Sequence, residues 1–298
     1  MKNFFINIIC GFIPDKSRRT KVRWILRLGL INCIRIKRRE PKLKFPYKLA
    51  ILAIAKNEAP YFREWIEYHR LVGVEKFYIY DNESTDDTKK VLASYIKSGL
   101  VEYIYWPGEG QQTKAYMDCF KRRKFETRWL AVIDLDEFLV PVADKTIPEY
   151  LAKIPSNVSS ISVGWAMYGS NGHIKKPKGM VMENYKRRAP ECASYKSIVN
   201  PRFVVKAMIH YQMLLGGKEL NERDAPISSW RIRCNHYYCK SWEEYRAKMS
   251  RGAACKGMVW GKKIYHKKAF DERDRNEVLD PIMDKFIKLL RAGDSEVL

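Results

Sequence analysis

The sequence predicts an α/β fold in which strands and helices alternate along the chain. The 298 residues are 46% hydrophobic, which is enough to build a sizeable core. The apolar run 49–55 is typical of a strand buried on both faces. From there to residue 133, strand-like and helix-like segments alternate. This alternation predicts a mostly parallel sheet.

The individual elements follow in order from local signals. Pro60 begins a helix whose apolar residues recur at helical spacing until Gly73 ends it. A strand over 76–80 leads into the polar loop 81–88, whose side chains suit helix capping, and the next helix stops at Gly99. We further expect strands at 100–106, 129–133 and 159–165, helices at 115–124 and 280–290, a short helix after Thr146, and loops from 169 to 188.

Positive charge is concentrated at the start of the chain. The net charge is +22, and residues 1–48 hold fourteen Lys and Arg against Asp15 and Glu40, so this stretch carries +12 of the total. Such a charge implies an anionic partner, which can be nucleic acid, acidic lipid or a phosphorylated ligand. Apolar residues such as Phe4, Ile8 and Trp24 interleave with the arginines, as in an amphipathic anchor on anionic lipid.

Residues 1–46 are therefore predicted to form a basic amphipathic extension that binds an anionic membrane surface. The apolar run 4–13 has no cleavage site after it and is shorter than the about 20 apolar residues that span a bilayer. The alternative is a helix packed on the main domain with its basic face in solvent. The globular domain is expected at 47–255 and a helical tail at 256–298.

The cysteines bear on the compartment. There are seven, an odd number without a CxxC pair, in a chain long enough to fold without disulfide bonds. They predict free thiols in a reducing environment. Together with the basic extension, they predict a cytoplasmic protein that is peripheral to the inner membrane.

The strongest functional signal is the segment 129–138, in which an apolar strand runs into Asp134-Leu-Asp136. Ligands of open α/β sheets bind beyond the carboxyl ends of the strands, so we expect both carboxylates at the site. Alternate residues of an extended chain point the same way, which lets both reach one hard cation and the phosphates that it bridges. Without further context, such acids could equally cap the next turn.

Several spaced motifs supply that context. They are 53–58 (AIAKNE), 64–69 (EWIEYH), 81–88 (DNESTDDT), 112–116 (QTKAY), 133–138 (IDLDEF), 168–173 (YGSNGH), 235–244 (NHYYCKSWEE) and 251–252 (RG). In this order they resemble glycosyltransferase family 92 and the related family-2-like bacterial enzymes. The resemblance implies a GT-A fold, which is a Rossmann-like mixed sheet flanked by helices, and metal-dependent transfer of a sugar.

The resemblance also implies roles for individual residues. The loops after the first two strands would hold the nucleoside, and the residues expected to bind the donor are Asn57, Glu58, Asp81, Asn82, Lys114, Asp134, Lys240 and Arg251. A uracil ring needs a donor and an acceptor, and Asp81 with Asn82 offers both. Lys240 and Arg251 would neutralise the departing diphosphate.

A metal site is expected at the acidic pair. The resemblance makes Asp136 a ligand, places Asp134 near the ribose and the metal, and favours His236 as the third ligand, because GT-A enzymes commonly return a late histidine to the metal. His210 is the rival for that position. An imidazole beside carboxylates favours Mn²⁺ over Mg²⁺.

Inverting transfer also requires a catalytic base, which must be a carboxylate that faces the acceptor hydroxyl. Glu222 is selected for this role, although spacing does not separate it from Glu219 and Asp224. Four aromatic residues are candidates for a platform under the acceptor sugar: Trp165, Tyr168, His173 and Tyr185.

The expected activity is transfer of a hexose, galactose or a similar sugar, from a UDP-linked donor to a glycan or lipid-linked acceptor in lipopolysaccharide or cell-surface polysaccharide synthesis. Two other classes compete with it. A phospholipid- or nucleic-acid-binding module explains the charge but requires basic residues throughout the domain, and it leaves the acidic strand end unexplained. A metal-dependent phosphodiesterase requires more converging carboxylates. We therefore expect no nucleic-acid partner.

Overall fold

A computed structural model describes residues 2–15, 18–19, 22–23, 25–26, 34, 43–224, 226–251 and 267–293. The strands are β1 (Tyr47–Ala55), β2 (Lys76–Asp81), β3 (Val101–Tyr105), β4 (Thr127–Val132), β5 (Glu137–Pro141), β6 (Val158–Tyr168), β7 (Arg187–Val199), β8 (Val204–Ala207), β9 (Gln212–Leu214), β10 (Lys218–Asn221), β11 (Ile232–His236) and β12 (Val278–Leu279).

Helices connect and cover these strands. They are α1 (Lys2–Gly11), α2 (Ala59–Leu71), α3 (Thr88–Lys97), α4 (Gln112–Arg123), α5 (Ile147–Ala152), α6 (Val181–Asn184), α7 (Trp242–Ser250), α8 (Lys267–Asp271) and α9 (Asp284–Gly293), with short 3₁₀ turns at Pro201–Phe203, Glu222–Asp224 and Ile227–Ser229.

One mixed sheet organises the fold, in the order β3-β2-β1-β4-β7-β6-β11-β5. Strands β1 to β4 are parallel neighbours, and β7 runs antiparallel to both β4 and β6. Strand β11 is parallel to β6 and antiparallel to β5. The predicted Rossmann-like mixed sheet flanked by helices is therefore confirmed. The carboxyl ends of β1, β2, β4 and β11 and the start of β5 lie at one edge, which we call the carboxyl edge.

Strand β1 explains why its sequence is an unbroken apolar run. Its alternate side chains enter two separate clusters, so neither face is available to polar residues. Ile51 packs in the cluster that contains Trp65 of α2, whereas Leu52 packs on the other face with Tyr116 of α4. Helices on both faces bury the strand completely, as expected for the centre of an α/β sheet.

The polar loop after β2 caps two helices at once. The Asp86 carboxylate accepts a hydrogen bond from Ala59 N (3.0 Å) in the first turn of α2 and another from Thr88 N (3.1 Å) at the start of α3. The predicted end of α2 before Gly73 is also confirmed, since the helix stops at Leu71 and Gly73 has a φ of 98°. A side chain at that glycine would lie 2.6 Å from the Pro148 ring.

The last described segment packs on the main domain. The Phe286 ring of α9 lies 5.4 Å from the Tyr68 ring of α2, and β12 pairs with the start of β7. Asp280 accepts hydrogen bonds from Arg188 (2.5 Å) and Arg233 (2.8 Å). Residues 267–293 therefore share the core of the sheet, and the predicted boundary at residue 255 lies outside the described residues.

Only part of the predicted basic extension is described, since most of residues 16–42 lie outside the described residues. Helix α1 buries Ile6 and Cys10 and exposes Ile8 and Ile9, and Phe12 directly after the helix is also exposed. Within the part of the chain that the structure covers, no helix is both long and apolar enough to cross a bilayer. The cysteines that it covers are free thiols, namely Cys10, Cys119, Cys192, Cys234 and Cys239.

Candidate active site

The acidic pair lies in a tight turn at the carboxyl edge, between β4 and β5. Asp134 N donates to the Glu137 carboxylate (2.9 Å), and Glu137 N donates to Asp134 O (3.1 Å), which closes the turn. The Asp136 side chain is buried, whereas a third of the Asp134 side chain is exposed. The structure therefore puts both carboxylates at the edge where sequence reasoning expected them.

Asp136 lies between a histidine and a lysine. Its Oδ2 is 3.5 Å from His236 Nε2 and 2.5 Å from Lys248 Nζ. Burial raises the pKa of Asp136, but Lys248 and His236 outweigh it and hold that pKa well below the ordinary value. Asp136 is therefore an anion, and its charge is balanced by Lys248.

Asp134 is paired with a different lysine. Lys196 of β7 is almost completely buried, and its Nζ lies 2.7 Å from Asp134 Oδ2 and 3.5 Å from Glu137 Oε2. Burial lowers the pKa of Lys196, but the two carboxylates more than offset this and keep the lysine charged. Tyr116 of α4 also donates to Asp134 Oδ1 at 3.4 Å. One buried cation thus neutralises two neighbouring acids.

His236 reaches the acidic turn because of strand register. It is the last residue of β11 and pairs with Glu137, the first residue of β5. Its Nδ1 is 3.9 Å from Glu137 Oε1, and its ring packs against Trp165 with centroids 4.3 Å apart. Burial lowers the pKa of His236, which Asp136 only partly opposes, so the ring is neutral. A neutral imidazole is the form that binds metals.

The loop after β1 is held by an arginine from the far end of the domain. Arg251 Nη1 donates to Lys56 O (3.0 Å) and Asn57 O (2.6 Å) and pairs with Glu58 Oε1 (2.9 Å). Asn57 has φ of 54°, and its side chain accepts from Thr85 N at 2.7 Å. Arg251, Asn57 and Glu58 are therefore brought together by the fold, with the arginine fixing the loop.

The predicted nucleoside contacts after β2 already have partners within the chain. Both amide protons of Asn82 are used, by Trp106 O and Gly108 O at 2.8 Å each. Asp81 accepts from Tyr103 OH (2.5 Å) and from Ser84 N (3.1 Å). These side chains join the ends of β2 and β3, so they brace the loops at this edge and do not extend freely into solvent.

The two lysines predicted to bind the donor, Lys240 and Lys114, lie at different distances from the acidic turn. Lys240 is buried with φ of 48°, and its Nζ lies 3.9 Å from the centre of the Tyr61 ring. Burial lowers the pKa of Lys240, while Glu58 and Asp136 oppose that shift. Lys114 is exposed in the first turn of α4. The structure thus brings Lys240 near the acids and leaves Lys114 at the surface.

The predicted base Glu222 and the alternative metal ligand His210 differ in their position relative to the acidic turn. Tyr150 OH donates to Glu222 Oε1 at 2.7 Å, and the Tyr150 ring lies under Arg231, just before the start of β11. His236 is at the opposite end of that strand, so Glu222 does not join the acidic turn. His210 also packs against Trp165, with ring centroids 5.2 Å apart, and it lies close enough to Lys196 and Asp134 for both to act on its pKa.

Sequence reasoning missed three residues of this site. Lys196, Lys248 and Glu137 contact the acidic pair, and none was selected. The signal for Lys196 was a single lysine inside an apolar strand, 195–199, because a charge at such a position needs a buried partner. Glu137 was visible as a third acid directly after the pair.

Lys196→Met should destabilise the protein by about 3 kcal/mol, because it leaves the buried Glu137 and the partly buried Asp134 without their cation. The exposed Lys206 of β8 provides the control, since Lys206→Met is expected to change the free energy of unfolding by less than about 0.5 kcal/mol. Urea denaturation measures both. Equal stability of the two variants would contradict the proposed balance of charge.

The sequence matches the family model "Glycosyltransferase family 92" over residues 50–290. A family 92 protein of Oryza sativa subsp. japonica is 28% identical over 212 residues, which cover 68% of this chain and 35% of that protein. The β-1,4-galactosyltransferase galt-1 of Caenorhabditis elegans is 28% identical over 186 residues, covering 56% of this chain and 43% of that protein. This chain therefore aligns with less than half the length of each of these relatives.

Among solved structures, residues 1–349 of S. aureus TarS in complex with UDP align with a TM-score of 0.40 at 12% identity, covering 68% of this chain and 65% of that one. The family assignment does not depend on this alignment. It follows from the family match, which extends over most of the chain and includes the acidic turn, His236 and the packed C-terminal segment. The chain belongs to glycosyltransferase family 92.

Proposed function

We propose that this protein transfers a hexose from a UDP-linked donor to a glycan or glycolipid acceptor, with a divalent ion at the acidic turn. One observation carries the proposal: Asp136 Oδ2 and His236 Nε2 lie 3.5 Å apart at the carboxyl edge of the sheet. A carboxylate and a neutral imidazole from different strands meet there, where open α/β sheets bind their ligands. Membership of family 92 supports the same class of reaction.

The donor atoms at this edge suit a divalent ion. Two ligands bonded at about 2.1 Å and at right angles are about 3 Å apart, close to the observed separation of Asp136 and His236. Asp134 is the third proposed ligand, and its Oδ2 is turned to Lys196. Within the described residues, no three acidic, histidine or cysteine side chains already converge on one point. The proposed site therefore rests on the closeness of Asp136 and His236, with Asp134 two residues away in the same turn.

The mixture of an imidazole and carboxylates supports Mn²⁺ ahead of Mg²⁺. When bound, the ion would supply positive charge that stabilises the diphosphate as it leaves. The lysines around the turn would do the same from the protein side. Lys248 and Lys240 lie near Asp136, and desolvated cations act more strongly on a developing negative charge than exposed ones.

The nucleoside would lie between the loops that follow β1 and β2. Arg251 holds the first loop through its contacts with Asn57 and Glu58, and Asn82 ties the second to the loop after β3. This bracing favours a pocket of fixed shape, in which backbone groups and the Asp81 carboxylate meet the base. A rigid pocket reduces the ordering cost of binding the donor.

We propose galactose as the transferred sugar. The family relative named as a β-1,4-galactosyltransferase supports galactose as the transferred sugar. We propose inverting transfer onto an acceptor of lipopolysaccharide or capsule type. Glu222 lies with Tyr150 at the far end of β11, so this geometry gives it no contact with the reaction, and the base would have to come from another carboxylate.

Asp136→Asn should reduce sugar transfer by about 10²-fold or more, because it removes an anionic ligand of the proposed ion. Release of UDP from a panel of UDP-sugars with Mn²⁺, extended to GDP- and CMP-sugars, measures the activity. Asp144→Asn is a matched control, since Asp144 is equally buried and ion-paired but contacts Lys153 and Arg231 instead.

Circular dichroism would verify that both variants are folded. The proposal predicts that the control retains turnover and that the Asp136 variant loses it. A folded Asp136→Asn protein with wild-type turnover in Mn²⁺ would contradict the metal role, and a wild-type protein inert towards every donor would contradict the sugar-transfer assignment.

We further propose that the N-terminal extension binds an anionic membrane at its cytoplasmic face, next to the lipid-linked acceptor. The exposed apolar residues Ile8 and Ile9 of α1 and Phe12 directly after it support this proposal, and Phe12 is 83% exposed. The surrounding stretch carries more than half of the net charge. Apolar insertion and basic residues each add to attraction for acidic lipid.

A double variant, Ile9→Glu with Phe12→Glu, should bind vesicles that contain phosphatidylglycerol about tenfold less tightly or worse, because it removes two side chains that would insert. Phe125→Glu is the control, since Phe125 is an exposed phenylalanine elsewhere on the domain. Co-sedimentation measures both. Unchanged binding of the double variant, or equal binding of the wild type to neutral vesicles, would contradict the anchor.

A further inference from the structure

The side chain of Glu137 contacts two of the three proposed metal ligands, Asp134 and His236. It is completely buried, at the first position of β5. Its Oε2 accepts from Asp134 N at 2.9 Å and lies 3.5 Å from Lys196 Nζ. Its Oε1 faces His236 Nδ1 at 3.9 Å. One carboxylate therefore lies between the Asp134 turn and the His236 ring.

Two buried polar atoms in this group lack a partner within hydrogen-bond distance. They are Glu137 Oε1 and His236 Nδ1, and they face each other. Buried polar atoms are nearly always satisfied, so an unsatisfied pair of an acceptor and a nitrogen invites a specific explanation.

The strand register holds Glu137 and His236 next to each other. His236 and Glu137 are directly opposite in the antiparallel pairing of β11 with β5. Side chains of directly opposite residues lie on the same face of a sheet and interact. Since Nε2 of the same ring faces Asp136, only Nδ1 is left for Glu137.

We propose that Glu137 is a positioning residue for the metal site: it accepts the Nδ1 proton of His236, which leaves Nε2 free to bind the ion, while it fixes the Asp134 turn with its other oxygen. Metal-binding histidines generally donate their second ring proton to a carboxylate or carbonyl, which selects the tautomer. This inference rests on the proposed metal role of Asp136 and His236.

Glutamine cannot replace Glu137 in this position. The three groups that contact the Glu137 carboxylate are donors under the proposal: Asp134 N, the Lys196 ammonium and His236 Nδ1. An amide offers one accepting oxygen and one donating nitrogen, so it must oppose a donor on one side. If the nitrogen turns to His236, the ring takes the other tautomer, with its proton on Nε2, and cannot bind the ion.

Glu137→Gln should therefore weaken Mn²⁺ binding by about 10- to 100-fold, the usual effect of losing such a partner. Electron paramagnetic resonance of free Mn²⁺ measures the affinity without any need for turnover. Glu67→Gln is the matched control, because Glu67 is a buried glutamate of α2 that pairs with Arg70 away from the site. Thermal unfolding of each variant would separate metal affinity from loss of fold.

A second variant keeps the test decisive if the glutamine protein does not fold. Glu137→Asp retains a charge for Lys196 but shortens the side chain, so it no longer reaches His236, and we expect a similar loss of affinity. A folded Glu137 variant that binds Mn²⁺ within twofold of the wild type would overturn this inference alone. A wild-type protein without Mn²⁺ affinity would overturn the proposed metal site and this inference with it.

Discussion

The fold concentrates negative charge in one turn and must balance it from other strands. Asp134, Asp136 and Glu137 lie within four residues of each other, and two of them are buried. Lys196 from β7 and Lys248 from α7 supply the opposing charge. Buried carboxylates are tolerated only with such partners, so the order of strands around β4 is tied to this electrostatic balance.

This balance also places two lysines beside the acidic turn. Lys248 and His236 hold the pKa of Asp136 low against the effect of burial, and Lys196 pairs with Asp134 and Glu137. The same lysines lie where a diphosphate would need positive charge.

Much of this arrangement could be predicted from the sequence, and the rest depends on long-range pairing. The position of Asp134 and Asp136 follows from one rule, that a buried parallel strand ends at the ligand-binding edge. His236 was expected only through the family resemblance, because its approach requires β11 to insert between β6 and β5. No local sequence pattern predicts that β11 lies between β6 and β5. Glu222 failed to reach the site for the same reason, since spacing along the chain does not show where β10 leads.

The account as a whole depends on the acidic turn taking up a divalent ion. Anomalous diffraction at the manganese edge, from crystals soaked with Mn²⁺ and UDP, tests this most directly. The account predicts an anomalous peak bonded to Asp136 Oδ2 and His236 Nε2, with the diphosphate beside it. A map with UDP bound and no peak, and with Asp136 still paired to Lys248, would contradict it.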